Sequence, residues 1–322
     1  MTPLTLTFHD VNDAYSEIQS IKERFSEWES TRNGPALAFQ APVIIQHCSP
    51  YRRVLFDPLR DANPFFHYME AIWMLAGEEH TKFLEQFVPS ITDFSDDRLI
   101  LNGAYGYRWR SHFEGDQIEA IIEMLTKDRY TRRAVIGMWD PSFDLAAQSK
   151  DLPCNTHIYF RTVMNALDMT VCNRSNDLVW GALGANVVHM GILQEYIAAA
   201  VGMHTGNYYQ FTNNLHVYEG WTEPDKFERH PSRWYREHPG MQKWKFTPET
   251  FSIAEAQDFC TFGLEVENPY RCRILRDNAE PMLRAHQTYK TGDVDLALHY
   301  ADKIYDDDWR VACMAWIERR RK

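Results

Sequence analysis

Four short segments carry residue types able to do covalent chemistry. Asp151-Leu-Pro-Cys154 stands just ahead of a strand-like run. A cysteine there is either a buried structural thiol, the commoner fate of a lone cysteine, or a nucleophile, which needs an electropositive neighbour to be thiolate near neutral pH. Arg174-Ser-Asn-Asp177 follows two strand-like runs joined by a turn at Asn165–Asp168, so a hairpin return brings Arg174 back beside Cys154. An arginine stays charged, favours a neighbouring thiolate and grips phosphate through its fork; the plainer alternative is an exposed Arg–Asp pair of little energetic value. Asn186 heads a helical stretch, where it is either an N-cap or an amide presented to a ligand. His216 and Tyr218 share one face of a strand. They are either a pair of groups for a sugar hydroxyl or ordinary polar residues of a half-exposed strand.

Elements must hold these groups in place. Val11, Tyr15, Ile18, Ile21, Phe25 and Trp28 recur at helical spacing, which predicts an amphipathic helix over residues 11–28. Asn63-Pro64 opens a second helix: asparagine suits the N-cap, proline the first turn and Gly77 the stop. From Phe65 to Ala76 it is apolar nearly all round, so it is expected to be buried, with Glu70 in its middle. Burial favours the neutral form of a carboxyl and suits a proton carrier near neutral pH; the alternative is a core glutamate paired with an arginine. A third helix runs from about Asp116 to Lys127. Strands are predicted at Ala134–Trp139, Thr156–Met164, Met169–Asn173 and about Tyr208–Tyr218, with a long helix from Asn186 to Ala200 ended by Gly202. Beyond residue 219 a Pro/Trp/His-rich loop (221–247) alternates with helical stretches near 248–264, 277–288 and 294–304. With no repeat and no low-complexity linker, the chain reads as one domain over residues 1–322, α+β in class.

Composition narrows the function. The 322 residues are 44% apolar and 25% charged, which supports a sizeable core and excludes a largely disordered chain. The net charge of −11 argues against a general nucleic-acid binder, because duplex affinity comes largely from Lys and Arg neutralising phosphates. A local arginine pocket for one phosphate is compatible with it. No run of 18 apolar residues and no basic-then-apolar N-terminus occurs, so no membrane span and no signal peptide are expected. The six cysteines form no Cys-x-x-Cys pair and the 13 histidines no metal-ligand pattern. No metal is therefore expected, and sparse cysteines point to a reducing cytoplasm. The absent Cys-x-x-Cys pair also sets aside a zinc-dependent pyrimidine deaminase. Aromatics reach 14%, and rings both fill cores and stack on flat ligands.

In order and spacing, these pieces resemble the thymidylate synthase superfamily. The matching pieces are Thr31-Arg32-Asn-Gly34, Glu70 within Met-Glu-Ala-Ile-Trp, and Gly103-Ala-Tyr105-Gly-Tyr-Arg-Trp-Arg110. They continue with Arg132-Arg133 before a strand, Pro153-Cys154, Arg174-Ser-Asn-Asp177, Gly181 followed by Asn186, and His216-Val-Tyr218. The resemblance covers roughly residues 30–220. It implies a thymidylate synthase-like fold, a mixed β-sheet flanked by helices, and a homodimer formed through the sheet. It implies that Cys154 attacks C6 of a pyrimidine nucleotide, that Arg32, Arg174 and Ser175 hold the 5′-phosphate, and that Arg132 and Arg133 reach the phosphate of the neighbouring subunit. Asn186 would bind the base edge, His216 and Tyr218 the sugar 3′-hydroxyl, and Asp177 the pterin of 5,10-methylenetetrahydrofolate. Glu70 would relay protons through water, with Tyr105 in the same hydrogen-bond network. Tyr105, Trp109 and Tyr218 would surround two flat heterocycles.

Members of this superfamily differ after the one-carbon transfer. Thymidylate synthases reduce the exocyclic methylene with a hydride from folate; hydroxymethylases add water. The synthases carry a Trp-rich stretch about fourteen residues before the tyrosine matched by Tyr105, where this chain has Ser90-Ile-Thr-Asp-Phe-Ser. They end in an apolar tail that closes over the folate, where this chain ends Trp316-Ile-Glu-Arg-Arg-Arg-Lys322. Both departures favour water capture, and the Arg174–Asp177 and Leu215–Tyr218 segments resemble deoxycytidylate hydroxymethylases of phage type. The resemblance thus implies hydroxymethylation, of dCMP first and dUMP close behind. An extra residue in Gly181-Ala-Leu-Gly-Ala-Asn186 would put Ala185 at the base-edge position if uncounted, whereas the spacing from Asn186 to His216 favours Asn186. The rival enzyme is a thymidylate synthase proper; the rival of another class is a non-catalytic nucleotide- or RNA-binding relative.

Overall fold

The structure, a computed structural model of the chain, describes residues 2–31, 33–221, 232–243, 246, 251–265 and 270–321, without the side chains of residues 19–26. Among the described residues, ten strands run β1 (Leu4–Phe8), β2 (Ser26–Thr31), β3 (Gly34–Phe39), β4 (Val43–His47), β5 (Val135–Gly137), β6 (Asn155–Val163), β7 (Ala166–Asn173), β8 (Asn176–Asp177), β9 (His204–Thr212) and β10 (Leu215–Tyr218). The α-helices are α1 (Val11–Phe25), α2 (Pro64–Ala76), α3 (Lys82–Glu85), α4 (Tyr105–Arg110), α5 (Gln117–Lys127), α6 (Asn186–Ala200), α7 (Trp234–Glu237), α8 (Ile253–Phe262), α9 (Glu280–Lys290), α10 (Val294–Ala301) and α11 (Asp307–Glu318). The expected α+β class is observed. No helix among the described residues is long and apolar enough to cross a membrane.

The chain forms two compact units, each gathered from three stretches. The first takes Met1–Ala62, Gln117–Leu145 and Pro153–Glu237; the second takes Asn63–Asp116, Ala146–Leu152 and His238–Lys322.

The first unit holds a mixed six-stranded sheet, order β1-β4-β9-β7-β6-β5, and a four-stranded sheet, order β2-β3-β10-β8. β6 and β7 form a tight hairpin with Val163 opposite Ala166. Its turn is Met164-Asn165, with Met164 left-handed at φ 55, a little ahead of the turn read at Asn165–Asp168. Ile158, Leu167, Met169, Val171 and Tyr208 on β6, β7 and β9 are fully buried, and α6 packs on β7 and β9.

Two readings of this unit are corrected. The helix over 11–28 stops at Phe25, and Trp28 lies on β2, 56% exposed. Residues 26–31 pair in register with β3, Ser26 opposite Phe39 through Thr31 opposite Gly34, and that hairpin overrides the helical spacing. The single strand predicted at Tyr208–Tyr218 is two strands in two sheets. Asn213-Asn214 breaks it: the Asn213 N–H donates to Asn173 O, while Asn214 O accepts from the Asn176 N–H, handing the chain from one sheet to the other.

In the second unit α2 forms as read. Asn63 Oδ1 accepts from the Phe66 N–H, Pro64 opens the helix, and Gly77 ends it at φ 80 with its N–H on Met74 O. Of its thirteen residues only Phe66 escapes burial. Phe65 meets His286 and Trp316, and Tyr68 meets Trp309 edge-on. The C-terminal helices α9 and α11 thereby cover α2, and Trp316 and Ile317 of the basic-ended tail are core residues. Gly106 lets α4 lie on α2, for a Cβ there would stand 2.1 Å from Met74 O. Trp109 is fully buried and offers no ring face to a ligand, contrary to its reading beside the heterocycles. Parts of the 221–247 and 248–264 readings lie outside the described residues.

Candidate active site

Cys154 sits immediately before β6 and Arg174 immediately after β7, so the hairpin returns one beside the other. The Arg174 N–H donates to Cys154 O at 2.9 Å, and its Nε donates to Pro153 O at 3.0 Å. With the guanidinium so tied, Nη2 stands 3.9 Å from Cys154 Sγ, and Cζ lies 5.7 Å from the Trp139 ring centroid. A fixed cation at that distance favours thiolate over thiol. The thiol itself is partly exposed. Elsewhere burial pushes thiols up, at Cys48, Cys172, Cys260, Cys272 and Cys313. Arg174 remains exposed and Ser175 beside it half-buried.

Two residues on, Asp177 pairs in parallel with His216. Its Oδ1 accepts the N–H groups of Val179 and Trp180, capping the helical segment that follows. Burial pushes its carboxyl above the usual carboxylate range, against the pull of those N–H donors and of His216. His216 Nδ1 lies 3.0 Å from Asn214 Oδ1 and 3.4 Å from Asn214 O, two acceptors towards which Nδ1 donates. The His216 and Tyr218 rings meet edge to face at 5.1 Å, and the Tyr218 hydroxyl accepts from Asn33 Nδ2 at 3.3 Å. Asn33 belongs to the β2–β3 turn; Arg32 lies outside the described residues.

Asn186 is not an N-cap. The helical path starts at Leu178 with π-helical turns over Leu178–Ala185, and Asn186 continues it with no capping bond from residue 185. Such turns occur as bulges inside α-helices without ending them, so the path from Gly181 to Asn186 stays helical. Asn186 is buried, and its Nδ2 donates to Asn176 Oδ1 at 3.0 Å. Arg132 and Arg133 are both exposed, in the loop leading into the edge strand β5.

In the second unit, Glu70 is buried at the middle of α2 and Tyr105 opens α4, half-buried. Asp151 carries a structural duty that the sequence reading left unassigned. Its Oδ2 accepts the Gly103 N–H at 2.8 Å, and a Cβ on Gly103 would stand 2.7 Å from that carboxylate. Burial raises Asp151 above its ordinary range, with Arg108 opposing and Glu70 adding to the rise.

Sequence reading also missed Arg60, Trp180 and Trp221. Arg60 donates to Val179 O, and its guanidinium lies 4.2 Å over Trp180 and 5.6 Å from the Trp221 centroid. Trp180, three residues after Asp177, is 54% exposed and presents an indole face. Its only signal was a tryptophan just after an acidic residue of a recognised motif. Among the described residues no cluster of His, Cys, Asp and Glu suits a metal ion.

Comparison with known proteins gives the family. The sequence model of a family described as thymidylate synthase matches residues 64–272. The chain is 40% identical over 315 residues to a deoxyuridylate hydroxymethyltransferase of Pseudomonas phage M6, covering 90% of this chain and 87% of that protein. Proteins of the same name from Bacillus phage SP01 and Delftia phage PhiW-14 are 38% identical over 188 residues and 31% over 208. These two matches cover 55% and 61% of this chain, and 49% and 57% of those proteins. A family match across more than half the chain and a relative aligned along most of its length together establish that this protein belongs to the thymidylate synthase family.

Proposed function

We propose that the chain, working as one domain over residues 1–322, hydroxymethylates C5 of deoxyuridylate with 5,10-methylenetetrahydrofolate as co-substrate. The observation that carries this reading is the approach of Arg174 Nη2 to Cys154 Sγ at 3.9 Å, within a family whose members are one-carbon transferases. Motif resemblance ranks dCMP first; the names of the phage relatives favour the uracil nucleotide, and we adopt it.

The Cys154 thiolate adds to C6 of the pyrimidine and makes C5 a nucleophile, splitting one hard substitution into two steps. The co-substrate supplies the one-carbon unit that C5 takes up. Glu70, with Tyr105 in its hydrogen-bond network, carries the C5 proton away. As that proton leaves, the bond from the one-carbon unit to the folate nitrogen breaks and tetrahydrofolate departs; water then adds to the exocyclic methylene and gives up a proton, the C6–S bond breaks, and the Cys154 thiolate is restored with 5-hydroxymethyl-dUMP as product. Arg32, Arg174 and Ser175 hold the phosphate, His216 and Tyr218 the 3′-hydroxyl, Asn186 the base edge and Asp177 the pterin. A flat, polar heterocycle would find there the half-exposed Asp177 and, three residues on, the 54% exposed Trp180, whose indole carries Arg60 over it.

Arg132 and Arg133 are assigned to the phosphate of a partner subunit in a sheet-mediated homodimer, and their exposure ahead of an edge strand is compatible with that. A monomer mass by sedimentation equilibrium at working concentration would sink the dimer. We place the enzyme in a reducing cytoplasm, which suits its six free thiols, with nucleotide and folate rather than nucleic acid, membrane or metal as its partners. Incubation with dUMP or dCMP and labelled methylenetetrahydrofolate tests the reaction. Product gaining CH2O with release of tetrahydrofolate is expected; a 5-methyl product with dihydrofolate would instead make the chain a thymidylate synthase proper.

A further inference from the structure

Behind Asn186 lies a chain of buried amides within the first unit. Asn186 Nδ2 donates to Asn176 Oδ1 at 3.0 Å, and Asn176 Nδ2 donates to Gln210 Oε1 at 3.3 Å. Gln210 Nε2 donates to Ala182 O at 2.8 Å and lies 3.2 Å from His47 Nε2. All are buried: relative exposure is 7% at Asn186, 2% at Asn176, 0% at Gln210 and 1% at His47. Gly181 makes room for it, since a Cβ there would stand 2.4 Å from Asn176 Oδ1.

The polarity of this chain does not depend on how each amide is drawn. A backbone carbonyl only accepts, so the Gln210 NH2 group must face Ala182 O. Its second N–H meets His47 Nε2, which accepts when the ring is neutral with its proton on Nδ1. Burial holds His47 at about 4, so the ring is neutral at neutral pH. Gln210 Oε1 is therefore turned to Asn176, the Asn176 NH2 must face it, and Asn176 Oδ1 must face the NH2 of Asn186. Asn186 is left with one N–H and its Oδ1, in a single orientation, and no described residue donates to that Oδ1.

A free asparagine amide serves either pyrimidine by flipping. Uracil presents N3–H and an oxygen at position 4; cytosine presents the opposite pattern, an N3 acceptor and an amino group. We propose that Asn176 and Gln210 are positioning residues that lock the Asn186 amide against flipping, so that the enzyme discriminates between uracil and cytosine through groups that never touch the base. The contact of Asn186 with the base and the sign of the preference, for dUMP, rest on the reading under Proposed function; the fixed orientation of the amide does not. To accept the other base, all three amides would have to turn, leaving Gln210 Oε1 against Ala182 O and against a histidine acceptor. An unmade buried hydrogen bond of that kind corresponds to a discrimination of about tenfold or more.

The test is steady-state kinetics of the full-length protein with dUMP and with dCMP, comparing wild type with Asn176→Ala and Gln210→Met, which cut the relay at different links. Expected is a wild-type preference that falls about tenfold or more in both variants. The change should reside in KM, rising for the preferred nucleotide and holding or falling for the other. A merely structural role would weaken both nucleotides in step; an unchanged ratio, or a wild type without preference, overturns the proposal. A wild type that prefers dCMP but loses that preference in both variants overturns the dUMP reading and upholds the lock. Absence of any hydroxymethylated product from either nucleotide overturns the reading of the reaction and the lock with it.

Discussion

Cys154 depends on a neighbour that is itself held in place. Arg174 is tied to the Cys154 and Pro153 carbonyls, so its charge sits by the sulfur in a fixed position rather than swinging in solvent. Replacing it by glutamine should slow alkylation of Cys154 by iodoacetamide at pH 7 roughly tenfold, as the thiolate fraction falls. An unchanged rate would deny Arg174 any part in activating the thiol and revive the non-catalytic relative as a reading. This pair was legible in the sequence, because two strands and a short turn leave a returning chain little choice of where to end. Asn186 was legible as a residue, but its setting was not: the sequence offers an N-cap, and the structure supplies π turns and a buried amide partner. Asn176 and Gln210 escaped notice altogether. A buried amide announces itself only by what surrounds it, and its partners come from strands and turns far apart in sequence.

Among the elements, α2 was read almost to the residue, since cap, first-turn proline and terminal glycine are local chemistry. The strands were read less well where pairing competed with local spacing, as in the β2–β3 hairpin, and where the chain changes sheets between β9 and β10. The small strands β1, β3 and β4 and the last helix α11 went unread. The packing of α4 on α2 makes an element-scale prediction. Gly106→Ala forces a methyl group against the Met74 carbonyl, so backbone must shift. A loss of about 1–3 kcal/mol or more in urea-induced unfolding is expected; a loss within a few tenths would mean that the two helices slide apart freely. Gly103, in a turn, and Gly181, in a helical segment, both mark close approach of a polar side chain, Asp151 and Asn176.

For the molecule as a whole, the acidic balance said little about phosphate recognition, which we assign to a few arginines, and much of the aromatic surplus proved to be core. That core sets a pH dependence. His286 is enclosed by Phe65, Phe87 and Trp316, and burial, with Lys290 nearby, lowers it from 6.5 to about 4. Below pH 6.5 the unfolded chain takes up a proton that the folded chain refuses until about pH 4, so stability present at neutral pH is lost across that interval. Relative to His286→Phe, the wild type should lose about 2 kcal/mol of unfolding free energy between pH 7.5 and pH 5. A constant difference between the two proteins over that range would mean that the imidazole is protonated in place. The order of the six-stranded sheet has a consequence of another kind. β9 lies between β4 and β7 yet is the last of the six to be synthesised. Until it leaves the ribosome, β1–β4 and β5–β6–β7 are separate ribbons whose inner edges have no partner, and such edges invite association between nascent chains. β9 is the strand that closes the gap, antiparallel on one side and parallel on the other. Its docking spans long stretches of chain and should set the pace of folding, which makes this enzyme's yield in a cell a matter of how soon one late strand arrives.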